Sequence, residues 1–233
     1  MVRWLNDRGY PFEFEPDWGV SKSPDFRVHH GNEVVAIEVK TIEEGGLLKD
    51  VRPGDHGFRK MKDALKPLRG KIRDAAPQLK PLAGSGIPLV IAISNPHKRP
   101  VPDTVEFLMS AMYGDPTYRF ARDGGAGRAL LGLNGKLKSD HPYISAVALV
   151  REVSHDAEAA GRWHDENRSH FASPEEMIAA ARRLGLMDPA GTRVAVDLVD
   201  TVTDAPRVPA MFVAGPDDSR WSLTADRSGL TRW

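Results

Sequence analysis

The sequence predicts an α/β protein, a mixed β-sheet with helices packed on its faces. Three observations point there. Runs of β-branched and aliphatic residues at 34–39, 88–94 and 144–150 read as buried strands. Stretches with apolar residues at three- and four-residue steps fall between those runs. A hairpin pattern precedes the first of them. Helices inserted between buried strands end up covering a sheet.

Each element has a local reason. Residues 1–8 are expected to form a short helix that Gly9 stops. Residues 10–15 alternate, Phe12 and Phe14 against Glu13 and Glu15, which is strand periodicity. Pro16-Asp17-Trp18-Gly19 is a turn or loop. Residues 24–40 read as a β-hairpin around Gly31-Asn32, with Phe26 and Val28 on one face and Asp25, Arg27 and His29 on the other. Glycines and Pro53 mark residues 44–57 as a loop. A helix is expected over 58–79 from the spacing of Met61, Leu65, Leu68 and Ile72, with Pro67 and Pro77 kinking or dividing it.

A strand at 88–94, a helix at 104–112, a glycine-rich loop at 123–142 and a strand at 144–150 follow. That loop holds Gly124-Gly125-Ala126-Gly127 but lacks the Gly-Lys-Ser/Thr of a phosphate-binding loop. Ser173-Pro174-Glu175-Glu176 is a capped helix start, and Gly185 is the expected stop. Residues 194–199 and 208–213 are two more expected strands. With no internal repeat or low-complexity linker, the chain reads as one domain. Residues 1–151 form its core, and residues 152–233 form an α/β extension packed on that core.

Composition narrows the function. Of 233 residues, 41% are hydrophobic and 27% charged, ordinary for a globular protein. No apolar run of about 18 residues exists to cross a membrane, and the N-terminus has no signal-peptide pattern. Cysteine is absent, which excludes disulfides and thiolate metal sites and fits a cytoplasmic protein. Net charge is zero, so attraction to nucleic acid must come from a local patch. Residues 58–80 offer one: Arg59, Lys60, Lys62, Lys66, Arg69, Lys71, Arg73 and Lys80 against Asp63 and Asp74.

The chemistry lies in residues 24–40. Glu38 and Lys40 are two apart on a strand and share a face, and hairpin pairing brings Asp25 beside them. Charges on a largely buried strand are costly unless something offsets them. A hard cation such as Mg²⁺ does so, with Mn²⁺ able to substitute, because carboxylate oxygens are its preferred ligands. The expected ligands are Asp25, Glu38 and the main-chain carbonyl of Val39. Lys40 would orient the attacking water and stabilise negative charge at a phosphate.

Pro24-Asp25, a hairpin, then Glu38-Val39-Lys40 resembles the signature of the PD-(D/E)xK nuclease superfamily, the restriction-endonuclease-like fold. The resemblance is close over residues 24–40 and extends in element order over about 1–95. It implies an αβββαβ core around a mixed sheet and Mg²⁺-dependent hydrolysis of DNA or RNA. Asp25, Glu38 and Lys40 would be catalytic. The family often carries a glutamine or basic residue on the next helix, for which Gln78 is the match. It also often carries an acid on its first helix; only Asp7 lies there, and Glu13 or Glu15 would have to substitute.

The expected function is therefore a Mg²⁺-dependent endonuclease, DNA favoured over RNA, with Lys60, Lys62, Arg69 and Arg73 gathering the phosphate backbone. The oligomeric state is open, a homodimer included. Two other classes stay in view: a non-catalytic nucleic-acid-binding module of the same fold, and an assembly protein whose charges form a structural network. His29 and His30 sit at the hairpin end, near enough for His29 to touch a phosphate. His155, His164 and His170 lack the four-residue step that puts two metal ligands on one helix face. Trp163, Trp221 and Trp233 are read as packing residues before base-stacking ones.

Overall fold

The computed structural model describes residues 1–42, 60–95, 104–114, 117–119, 128–130, 137, 140–154, 157–184, 192–213, 215 and 217–233. Helix α1 (Val2–Arg8) ends at Gly9, whose φ of 68° lies in the left-handed region. Strand β1 (Phe12–Phe14) pairs antiparallel with β2 (Phe26–His30), and β2 pairs antiparallel with β3 (Glu33–Thr41). His30 and Glu33 are partners across a two-residue turn. Gly31 takes φ 60° at its first position, where a type II′ turn needs glycine.

The loop expected at 44–57 lies outside the described residues, as does Arg59. The helix expected over 58–79 is two helices, α2 (Met61–Ala64) and α3 (Lys66–Leu79), divided at Leu65. Pro67 falls in the first turn of α3, where its missing N–H has no partner to lose. Pro77 lies inside α3 without dividing it. Strand β4 (Leu89–Ser94) then runs parallel to β3, and α3, lying over both, is the crossover that parallel neighbours require.

Helix α4 (Val105–Tyr113) comes next, followed by a separate small hairpin of β5 (Thr117–Arg119) and β6 (Arg128–Leu130). The latter strand falls within the expected glycine-rich loop; much of the rest of that loop, Gly124 to Gly127 included, lies outside the described residues. Strand β7 (Ala146–Ser154) pairs parallel with β4. Helices α5 (Ala157–Asn167) and α6 (Pro174–Arg183) lead to β8 (Thr192–Asp200), antiparallel to β7. The start of α6 is capped as expected, Ser173 Oγ accepting from the Glu176 N–H at 3.2 Å. Strands β9 (Ser219–Leu223) and β10 (Leu230–Arg232) close the far edge.

One eight-stranded mixed sheet results, ordered β1-β2-β3-β4-β7-β8-β9-β10, with helices against it, as the α/β expectation requires. The strand expected at 208–213 is instead a 3-10 turn at Ala210–Phe212. Phe212 is buried there, stacked on Tyr10 and edge-on to Trp4. That apolar run fills a core instead of joining a ladder.

Both sheet faces are covered, so β4 at the centre is apolar from Leu89 to Ile93. Leu89, Ile91 and Ile93 of β4 face the layer built by α3 and α4. Val90 and Ala92 face the layer built by α1 and the Phe212 turn. Asp218 joins the two ends of the chain. Its fully buried carboxylate accepts from Trp4 Nε1 (3.1 Å), Arg8 Nε (2.8 Å) and the N–H groups of Val196 (2.8 Å) and Gly215 (2.9 Å). Among the described residues, no helix is long and apolar enough to cross a membrane.

Candidate functional site

The alternation of β3 decides which side chains meet. Val35 and Ile37 point into the α1 layer, so Ala36 and Glu38 point toward α3. On β2, Phe26 and Val28 enter the α1 layer, which turns Arg27 and the preceding Asp25 to the same side as Glu38. The ladder ends with Phe26 opposite Ile37. Asp25 therefore stands where a partner for Glu38 would come next. Its Oδ2 accepts from the Val39 N–H at 2.7 Å and so replaces the missing ladder acceptor. The Glu15 N–H, donating to the Asp25 carbonyl at 2.7 Å, fixes Asp25 from the other side.

Glu38 is 1% exposed. Its Oε1 accepts from the Lys40 ammonium at 2.5 Å, and its Oε2 is buried with no hydrogen-bond partner. Burial pushes the Glu38 carboxyl above the ordinary carboxylate range; the bond from Lys40 and the nearby Asp25 backbone N–H oppose this, and the negative charge of Asp25 adds to it. The Lys40 side chain keeps a fifth of its surface, 22%, in solvent. Asp25, Glu38 and Lys40 are thus brought together as the sequence predicts, with the Val39 backbone held between the two acids.

An orphaned buried oxygen on one carboxylate, beside a second carboxylate, is a donor set suited to a hard divalent cation. The Val39 carbonyl belongs to the same stretch of β3. Among the described residues, no group of three or more His, Asp or Glu side chains is placed to hold a metal ion. The site therefore rests on two acids and the main chain.

Other predicted residues fare differently. Glu13 is taken up by neighbours: Arg27 Nη1 donates to its Oε2 at 2.9 Å, and His29 Nε2 lies 3.1 Å from its Oε1. These partners hold its carboxyl below the usual value. An auxiliary role for Glu13 at Glu38 is not what this geometry supplies. Glu15 is exposed with φ 47°, and it touches the site through its backbone. Gln78 lies near the end of α3. A helix returning between two parallel strands runs against them, so that end lies away from the Lys40 end of β3. Lys60 and Lys62 are exposed at the start of α2. Arg69 donates to the Ser110 carbonyl at 3.1 Å and so ties α3 to α4, while Arg73 is exposed beside Asp74 at 3.5 Å.

The tryptophans expected to pack do so in part. Trp163 is buried against Phe171, whereas Trp233 is 70% exposed. Sequence reasoning missed Trp18. It lies in the Pro-Asp-Trp-Gly turn, yet packs on the α3 layer, with the Arg27 guanidinium 4.3 Å from its ring centre. A large aromatic in a polar turn, upstream of an arginine on the Asp25 face, was the available signal.

Clefts open on two parts of the described surface that carry predicted residues. One of about 790 Å³ lies between α3 and α4 beside Lys66, Arg69, Arg73 and His141. Another of about 670 Å³ lies beside Trp18 and Arg27. Compared with known proteins, the chain matches no family model, no curated protein and no solved structure.

Proposed function

We propose that this chain is a Mg²⁺-dependent nuclease of the restriction-endonuclease-like class, hydrolysing phosphodiester bonds with DNA favoured over RNA. One observation carries the reading. Glu38 Oε2 is buried without a partner beside Asp25, and Lys40 is held against the other oxygen of Glu38. The element order α1-β1-β2-β3-α3-β4, with β3 and β4 parallel, supports the same class. Asp25, Glu38 and the Val39 carbonyl would hold the cation. When bound, it supplies charge neutralisation at the scissile phosphate and a water of lowered pKa.

The chain's own residues do the rest. Asp25 and Glu38 would set the phosphate's position relative to β3 only through the cation they hold, since bare carboxylates repel it. Lys40 sits at the solvent edge of the pair, where its ammonium orients a water and stabilises charge building on phosphate oxygens. Lys60 and Lys62 add sequence-independent attraction for the backbone.

Cleavage of duplex DNA, single strands and tRNA with Mg²⁺ or Mn²⁺ tests this. Lys40→Ala is expected to lower the rate by at least about a hundredfold, within the range seen for loss of an electrostatic catalytic group. Divalent-cation affinity is expected to vanish in the Asp25→Ala/Glu38→Ala double variant. A Lys40→Ala protein as fast as wild type would refute the enzyme. Retained nucleic acid without products would favour the binding module.

A further inference from the structure

The cleft beside Trp18 is built on the same sheet face as Glu38. Arg27 is two positions from Asp25 along β2, a rise of about 7 Å. Its guanidinium is held by its edge: Nη1 donates to Glu13 Oε2 and Nη2 to the Asp17 carbonyl, each at 2.9 Å. One flat face lies on Trp18, 4.3 Å from the ring centre. An arginine fixed this way is a rigid π-surface, because none of these bonds uses its second face. Trp18 itself lines the cleft, while its Nε1 is buried with no hydrogen-bond partner. Ile87 and Pro88 add apolar lining, and Asn32 and Arg207 add polar and cationic groups.

We propose that this cleft takes an unpaired nucleobase from the strand whose phosphate lies at Asp25 and Glu38. This deepens the nuclease reading and rests on it. A flat ligand fits a wall of arginine and indole that offers stacking surface, with Asn32 and Arg207 to meet acceptors on its edge. A base still inside a duplex cannot present its face to such a wall, so the substrate has a single-stranded or extruded nucleotide next to the cleaved bond. Both are positioning residues here: Trp18 supports the guanidinium face on which the base lies, and neither side chain touches a reacting atom.

The test is binding in EDTA, where cleavage cannot interfere, using labelled single-stranded DNA, the same sequence as duplex, and single strands with one abasic site stepped along them. The intact strand should bind at least about tenfold tighter than the duplex. One abasic position should weaken wild type by roughly tenfold or more, the size of a lost base–aromatic stack. Trp18→Ala should lose the same factor on the intact strand and be indifferent to that abasic site. Trp18→Phe, which keeps a smaller ring against the Arg27 guanidinium, should fall between, and it carries the test if the alanine variant does not fold. Equal binding of duplex and single strand, or an abasic penalty unchanged in both Trp18 variants, overturns the proposal. Coupling between Trp18 and the abasic site without Lys40-dependent cleavage would leave the base site standing and remove the nuclease. Lys40-dependent cleavage without coupling would do the reverse.

Discussion

Glu38 is held out of water with half of its carboxylate unanswered. Its carboxyl is raised on folding, chiefly by burial. A carboxyl raised in this way stabilises the fold while it carries its proton. That contribution is complete below the ordinary carboxylate pKa and is lost as pH rises through the raised value. At neutral pH the protein therefore bears a cost at this residue. In EDTA, Glu38→Gln is expected to melt above wild type at about pH 8 and to lose that advantage near the ordinary value of about pH 4. Thermal melts across that range decide it; a lower midpoint for the variant at pH 8 would mean that Lys40 already offsets the charge.

At the scale of elements, α1 and the β8–β9 region are held together by one buried acid. Asp218 receives Trp4 and Arg8 from the first helix and the Val196 N–H from β8. Removing it leaves Arg8 buried without its partner and strands the indole and two backbone donors. Asp218→Ala is expected to cost about 3–5 kcal/mol, the usual penalty for breaking a buried ion pair from one side. Urea unfolding followed by far-UV dichroism measures it, and a loss under about 1 kcal/mol would show that water replaces the carboxylate. Nothing in the local pattern announces this contact, since the partners lie more than two hundred positions apart in the chain.

For the whole molecule, 32 basic and 32 acidic residues cancel, so no global field draws in a polyanion. Under the proposed function, affinity for a polyanion has to come from cations left at the surface. Lys60 and Lys62 are exposed, whereas Arg69 is engaged in joining two helices. Replacing both lysines with alanine is expected to reduce the salt dependence of nucleic-acid binding, lowering the slope of log K against log[salt] by up to about 2. Titrations at several salt concentrations read this directly; an unchanged slope would place the phosphate contacts elsewhere.

The α/β class, the hairpin at Gly31-Asn32, the capped start of α6 and the shared face of Asp25, Glu38 and Lys40 were legible in the chain. Each depends on neighbours a few residues apart: strand alternation, a glycine turn, a hydroxyl before a first helical turn. A break in the helix near Pro67 was legible too, since proline belongs in a first turn; the turn at Phe212 was not, because packing against α1 decides what that apolar run does. The diversion of Glu13 to Arg27 and His29 also waited on β1 pairing with β2 in a particular register. So did the platform of Trp18 on Arg27. Local sequence determines which side of a strand a side chain occupies; only the assembled sheet determines which other side chains it finds there.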